Sequence, residues 1–339
     1  MSVYELFGRL GIKDVGARRI STGASIPVLG LLVAGCIFLT IGSLASSQFA
    51  ELTVSGVAQG SVFASLALAL VLIYRATEVV NFAQGEMAMG TTYIAYQLTV
   101  WGLSYWAAFF ATLAIAFAGG VVLQQVVIRP VQQKSVLAVV IVTIGILSVI
   151  DGAVLWIWGG DPKFVPPPFG SSVYHVGGVT MSLTDLGTIA VAIGTVVALW
   201  LFFRFTKLGL AMRASALRPA AARLVGVRVN WMLALGWGFA AVLGAVAGLL
   251  TEPSQFVLSP TMMQPILIYA FAAAVLGGLE SPMGAIVAGI ALGIFLNLVG
   301  QYVGFVTSEL RLPVAFALLL VVLLVKPSGL FGRTAVRKC

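Results

Sequence analysis

The chain has 339 residues, of which 60% are hydrophobic and 9% charged, with a formal net charge of +8. Soluble domains carry roughly 25% charged residues, and a soluble fold of this length could not hide so much apolar surface, so one membrane domain is expected. Two distant cysteines, Cys36 and Cys339, and one histidine, His175 in a Pro/Gly/Ser-rich loop, exclude a disulfide framework and a zinc site.

A helix that crosses the hydrocarbon core needs about 20 apolar residues. In chain order the segments that meet this need are 26–44, 52–74, 79–98, 105–128, 136–158, 183–205, 231–250, 262–279, 282–301 and 312–325. The expectation is an all-α integral membrane protein of about ten transmembrane helices. The last span is short and carries Pro313 near its start. Glycine is frequent, as expected where helices pack closely in lipid. Two Gly-Gly pairs, 119–120 and 277–278, serve either as packing sites or as breaks.

Orientation follows from lysine and arginine, which concentrate in cytoplasmic loops. With ten spans and both termini cytoplasmic, 17 of the 19 basic residues lie inside and only Lys163 and Arg311 outside. Dropping a span would strand at least one basic cluster on the wrong side. The organisation is then a cytoplasmic segment 1–25, a membrane domain 26–332 and a cytoplasmic tail 333–339. This bias accounts for the positive charge without a nucleic-acid partner. Arg18-Arg19 precedes an apolar stretch, but many later spans and no cleavage site make it an ordinary N-terminus rather than an export signal. The outer loops are short except 159–182, rich in Pro, Gly and Ser and expected to lack a regular helix. It is either a connector or a landing surface for an external partner.

No Gly-Lys pair occurs, so the phosphate-cradling G-x-x-x-x-G-K-[ST] loop is missing, as are H-E-x-x-H and G-x-S-x-G. The chain is not read as an enzyme, and no cofactor is expected in it. Polar groups at membrane depth mark pathways or hold helices together. The densest set is Glu78, Asn81, Gln84 and Glu86 in TEVVNFAQGEMAMG, with Asp151 as a second site. On a regular helix Asn81 and Gln84 share one arc while Glu86 points elsewhere, about 140° away at ~100° per residue. Either the helix is broken there or Glu86 meets a different neighbour. Glu86-x-x-Met89-Gly90 recurs as Glu280-x-x-Met283-Gly284, a short echo that stands equally as an internal repeat or as chance.

The cytoplasmic stretch 207–228, KLGLAMRASALRPAAARLVGVR, has five basic residues and no acid. Arg213, Arg218, Arg223 and Arg228 are five apart and so form no single basic face. Leu210, Ala214, Leu217, Ala221 and Leu224 follow the 4-3-4-3 spacing of one apolar stripe. Pro219 suits the first position of a helix and Gly226 the left-handed cap that ends it. A short helix over 219–225, held below the membrane, fits a groove on a cytoplasmic partner.

These stretches also carry a resemblance. Residues 56–90, ending in NFAQGE, resemble the signature of LivH-type permeases of branched-chain amino acid ABC importers. Residues 209–227, GLAMRASALRPAAARLVGV, resemble that family's cytoplasmic coupling loop, and AVLGGLESPMGAIVAGIALG (274–293) resembles its Gly-rich run. The resemblance covers about 52–332. Two positions depart from the pattern: Gln84 stands where the family usually has histidine, and no acid lies near Arg218.

The resemblance implies a permease subunit beside a second permease of LivM type or a second copy of itself. It also implies two cytoplasmic ATPases that bind ATP and Mg, and an external solute-binding protein. The solute would be a branched-chain amino acid, urea, a short amide or a relative. Asn81, Gln84, Glu86 and Asp151 would then line the path. The coupling loop would use Gly209, Arg213, Ala214, Leu217, Pro219, Ala221, Leu224 and Gly226. A transporter driven by an ion gradient is the alternative, suggested by Glu86 and Asp151.

Overall fold

A computed structural model describes residues 47–132, 134–164, 168–170, 172–176, 179–255, 257–304, 306–326 and 329–331. Contacts divide the chain into units 1–49 and 50–339. The expected span 26–44, Cys36, the basic N-terminal segment and Cys339 lie outside the described residues. Each of the other nine expected spans coincides with a helix.

The helices are α1 (Ser47–Thr77), α2 (Gln84–Val100), α3 (Tyr105–Leu123), α4 (Val136–Trp158) and α5 (Leu183–Phe205). After two short helices, α6 (Lys207–Leu217) and α7 (Pro219–Leu224), come α8 (Val229–Gln255), α9 (Met263–Gly277), α10 (Pro282–Tyr302) and α11 (Arg311–Val325). Among the described residues, six helical stretches are long and apolar enough to cross a membrane, while α9 and α11 are apolar but shorter. A π-helical turn, Gln124–Ile128, and a short helix, Arg129–Gln132, prolong α3. The fold is that of an all-α membrane protein with two small ribbons at its loops. In one, β1 (Lys163–Phe164) pairs antiparallel with β4 (Val257–Leu258); in the other, β2 (Val173–Val176) pairs with β3 (Val179–Ser182). The described residues of the long loop 159–182 thus hold no helix, as its composition predicts.

Local chemistry sets the helix ends. Ser135, Ser182, Thr206 and Ser281 each accept a backbone N–H of the first turn of α4, α5, α6 and α10, which satisfies donors that a helix start leaves orphaned. Pro313 falls in the first turn of α11, where its missing N–H removes no helical bond. Beyond α11, the N–H groups of Leu330 and Phe331 return to the carbonyls of Leu276 and Gly277 at the end of α9. Inside α1, Ser61 and Ser65 donate to the carbonyls four residues back, at 2.7 and 2.9 Å. Their hydroxyls therefore need no partner from another helix.

Small residues bring the central helices into backbone contact. On α1, a Cβ added to Gly56 or Gly60 would lie 2.7 Å from the Cα of Ile294 or Ile290 on α10, and one on Gly289 of α10 would lie 2.6 Å from the Cα of Ala64. Gly120 of α3 meets the Trp237 carbonyl of α8, and Gly248 of α8 meets the Ala88 carbonyl of α2. In lipid, where hydrophobic drive between helices is absent, such close approach supplies the packing energy. Of the two Gly-Gly pairs, 119–120 is therefore a packing site within a continuous helix. Gly277 ends α9, and Gly278 takes φ +96° in the turn to α10.

The helices divide into an interior and a rim. In their apolar windows α1 is 83% and α8 78% buried, against 11% for α4 and for α5. Most exposed side chains of that rim are apolar, among them Val149 and Trp156 on α4 and Val197 and Trp200 on α5, as a surface against lipid or another apolar subunit requires. The ends assigned to one side by charge also converge. The ends of α1 and α5 and the starts of α8 and α10 line one common cavity. At the opposite ends, the Thr180 N–H of the outer ribbon donates to Glu51 near the start of α1 at 2.7 Å.

Candidate functional site

The segment 78–83 is not helical, so the expected span 79–98 begins later, at Gln84. The helix wheel that placed Asn81 on one arc with Gln84 does not apply. Glu78 ends α1 at φ +57° with its N–H on the Tyr74 carbonyl, and its side chain is exposed. Asn81 then caps the turn: its Oδ1 accepts the Ala83 N–H at 3.1 Å while its Nδ2 donates to Gln84 Oε1 at 3.1 Å. Gln84 Nε2 in turn donates to the Ala240 carbonyl of α8 at 2.9 Å. Both side chains are buried, at 1% and 0% exposure. They form a closed chain of hydrogen bonds that ties the α1–α2 turn to α8.

Glu86 stands apart from that chain. It is 3% exposed, and its Oε2 has no hydrogen-bond partner among the described residues. Asp151 is half-buried on α4, a helix that packs against α2. The packing is direct: a Cβ on Gly90 of α2 would touch Ile150 at 3.1 Å. The polar cluster thus resolves into two parts, a satisfied amide pair and the buried Glu86, whose Oε2 has no partner among the described residues. An isolated buried carboxylate is costly in lipid, so the second part is the chemically loaded one. The echo at Glu280 has no structural counterpart, since that residue lies exposed in the α9–α10 turn while Glu86 is buried within α2.

Sequence reasoning missed Gln124, fully buried at the start of the π-helical turn with both side-chain polar atoms unpartnered among the described residues. Nothing in QQVVI announces a π turn. The signal available was a glutamine pair inside an apolar run.

Helices α6 and α7 are separate, as Pro219 at the first position of a new helix predicts. Arg218, at φ −145°, ψ 78°, breaks the run. Helix α7 starts with Pro219 at its first position and ends in a Schellman motif. The Gly226 N–H donates to Arg223 and that of Val227 to Ala222, with Gly226 at φ +83°. The helix spans 219–224, one residue less than the spacing predicts.

Gly209, Met212, Ser215 and Ala222 face the membrane domain. Leu210, Leu217, Ala221 and Leu224 face outward together with Arg213, Arg218 and Pro219, while Ala214 is half-buried. Leu217 is 70% exposed and Leu224 89%. The capped pair of helices thus leaves two leucines of its outer side uncovered by the rest of the chain.

The family described as "Branched-chain amino acid transport system / permease component" matches residues 52–323. The chain belongs to this family. It is 32% identical over 304 residues, 86% of this chain and 97% of the relative, to a protein of Escherichia coli K12 named high-affinity branched-chain amino acid transport system permease protein LivH. BraD of Pseudomonas aeruginosa, named likewise, is 31% identical over 86% of this chain and 98% of its own length. A Methanocaldococcus jannaschii protein named probable branched-chain amino acid transport permease protein LivH is 28% identical over 79% of this chain and 87% of its own. Among solved structures, one titled "PsaBC from Streptococcus pneumoniae in complex with Fab" aligns over 86% of this chain and 97% of that one at 13% identity and a TM-score of 0.47, a level at which neither function nor fold detail transfers. The chain is thus an ABC-type permease subunit, a multi-pass protein of the bacterial inner membrane that works with other ABC components.

Proposed function

We propose that this permease carries branched-chain amino acids, or an aliphatic solute of similar size, inward across the membrane. ATP and Mg are bound and hydrolysed in two partner subunits. A second permease of LivM type completes the path, and an external binding protein delivers the solute. The chain crosses the membrane ten times with both termini cytoplasmic. The observation that carries this reading is the α6–α7 pair, whose exposed Leu217 and Leu224 sit on a capped scaffold at the face where basic residues gather. It is the surface through which ATPase motion enters, with Gly209, Arg213, Ala214 and Ala221 as its other parts.

The test is uptake in proteoliposomes. The full complex should accumulate leucine only with ATP on the ATPase side and should continue to do so after the proton gradient is collapsed. The buried Glu86, with Asp151 on the neighbouring helix, favours one other reading, ion-coupled transport by this chain alone. Accumulation on a pH gradient without ATPase subunits would establish that reading and sink ours. A membrane-impermeant thiol reagent should label Cys339 only after permeabilisation.

A further inference from the structure

A cavity of about 560 Å³ opens between α1, α5, α6, α8 and α10 at their inner ends, within the ~300–1,000 Å³ common for small-molecule sites. Its walls are apolar, with Leu72, Val197 and Trp200 among them, and its rim carries Arg75, Arg204 and Arg213 from three different helices. None of the lining residues is acidic, and no ion pair is formed by these arginines among the described residues. Arg204 instead lies over the rings of Trp200 and Phe205, 5.4 and 5.8 Å from their centroids, which holds a cation at the boundary between apolar wall and water. Ser215, 1% exposed, lines the same cavity with its hydroxyl unpartnered.

We propose that this cavity holds one anionic phospholipid of the inner leaflet. Its phosphate is received by the three arginines, and an acyl chain lies against Leu72, Val197 and Trp200. Charge complementarity selects this occupant. Three cations with no counter-ion at the inner ends of spans match an anionic headgroup, and the apolar wall beneath them matches its tail. The N-terminal segment is a poor occupant, because residues 1–25 carry Arg9, Lys13, Arg18 and Arg19 against Glu5 and Asp14. Met212, Arg213 and Ala216 of α6 belong to both the cavity and the partner-facing helix, so the lipid would bridge the partner-facing element to the membrane helices.

The experiment is native mass spectrometry of the purified transporter complex, with phosphatidylglycerol, phosphatidylcholine or inorganic phosphate added in turn. One phosphatidylglycerol should be retained in preference to phosphatidylcholine. Arg75→Gln, Arg204→Gln and Arg213→Gln should each weaken retention about fivefold, the effect expected per basic residue at an anionic membrane surface. Arg204→Lys, which keeps the charge, should retain most of it. Gly236→Leu should exclude the lipid by filling the cavity; the nearest foreign atom to its Cβ is Met212 Cε at 4.0 Å. Arg129→Gln, on an exposed arginine outside the cavity, should change nothing.

Equal retention of the two lipids overturns the proposal, as does equal loss in Arg129→Gln. Displacement by inorganic phosphate at the same concentration would mean that the tail is not bound. Displacement by leucine would make the cavity a solute site instead.

Discussion

The glycine contacts between α1 and α10 predict that one substitution has opposite effects at two places. In a helix interior, Gly→Ala is favourable by about 1 kcal/mol because alanine loses less backbone entropy. At Gly145, in the middle of α4, an added Cβ meets nothing within 4 Å, so Gly145→Ala should stabilise the permease by up to that amount. At Gly60 the same Cβ would lie 2.7 Å from Ile290 Cα and 2.8 Å from the Ile290 carbonyl oxygen. Those are backbone atoms of a neighbouring helix, with no rotamer to yield. Overpacking of this kind costs about 1–3 kcal/mol, which exceeds the propensity gain over most of its range, so Gly60→Ala should destabilise. Gly289→Ala presses on Ala64 across the same crossing. Once one Cβ has pushed α1 and α10 apart, the second meets less resistance, so the double variant should lose less than the sum of the singles. Thermal unfolding of the purified permease in one detergent, followed by fluorescence, reads all four. If Gly60→Ala and Gly145→Ala shift the midpoint in the same direction, or if the pair at the crossing is additive, the close approach is not what holds these helices.

Three further outcomes follow from the polar cluster and the inner face. Ala221→Trp places a bulky ring on the exposed side of α7 and should cost about 1–3 kcal/mol of ATPase association, seen as loss of the ATPases on co-purification, whereas Ser172→Trp on the outer loop should leave it intact. Glu86→Gln keeps shape and most hydrogen-bonding capacity while removing charge. It should lower uptake at normal membrane levels of the complex, and loss of the complex would instead assign Glu86 to assembly. Gln84→Met leaves the Asn81 Nδ2 without its Gln84 acceptor, at a cost of about 1–3 kcal/mol for a buried donor, and should lower the unfolding midpoint; an unchanged midpoint would mean that the amide pair does not hold the turn to α8.

The spans were legible because the bilayer imposes one length on every crossing. Segments 136–158 and 183–205 coincide with α4 and α5 for that reason. The ends were less so where interhelical bonds decide them. The turn at 78–83 exists because Asn81 bonds Ala83 and Gln84, and Gln84 bonds α8, a contact 156 positions away in the chain. No periodicity reports such a partner. The same holds for the burial of Glu86, which the packing of α2 against its neighbours decides. Pro219 and Gly226 were read correctly because their constraints are local. Leu210, Leu217, Ala221 and Leu224 of the stripe face outward, although the 4-3-4-3 pattern itself is blind to the break at Arg218.

The connection between the inner face and the membrane core also rests on a glycine. Thr206 alone separates α5 from α6, and its hydroxyl both accepts the Gly209 N–H at 2.9 Å and donates to the Phe202 carbonyl at 2.7 Å. A Cβ on Gly209 would lie 2.6 Å from Phe203 Cα, so α6 lies directly on the backbone of α5. A push on α6 therefore has little slack to absorb it, and α5 must move with it. Helix α5 sits at the exposed rim, whereas α1 and α8 are locked to α10, α2 and α3 through glycine contacts that tolerate no rearrangement. Were motion delivered at Leu217 and Leu224, it would tilt the rim helix against the interior.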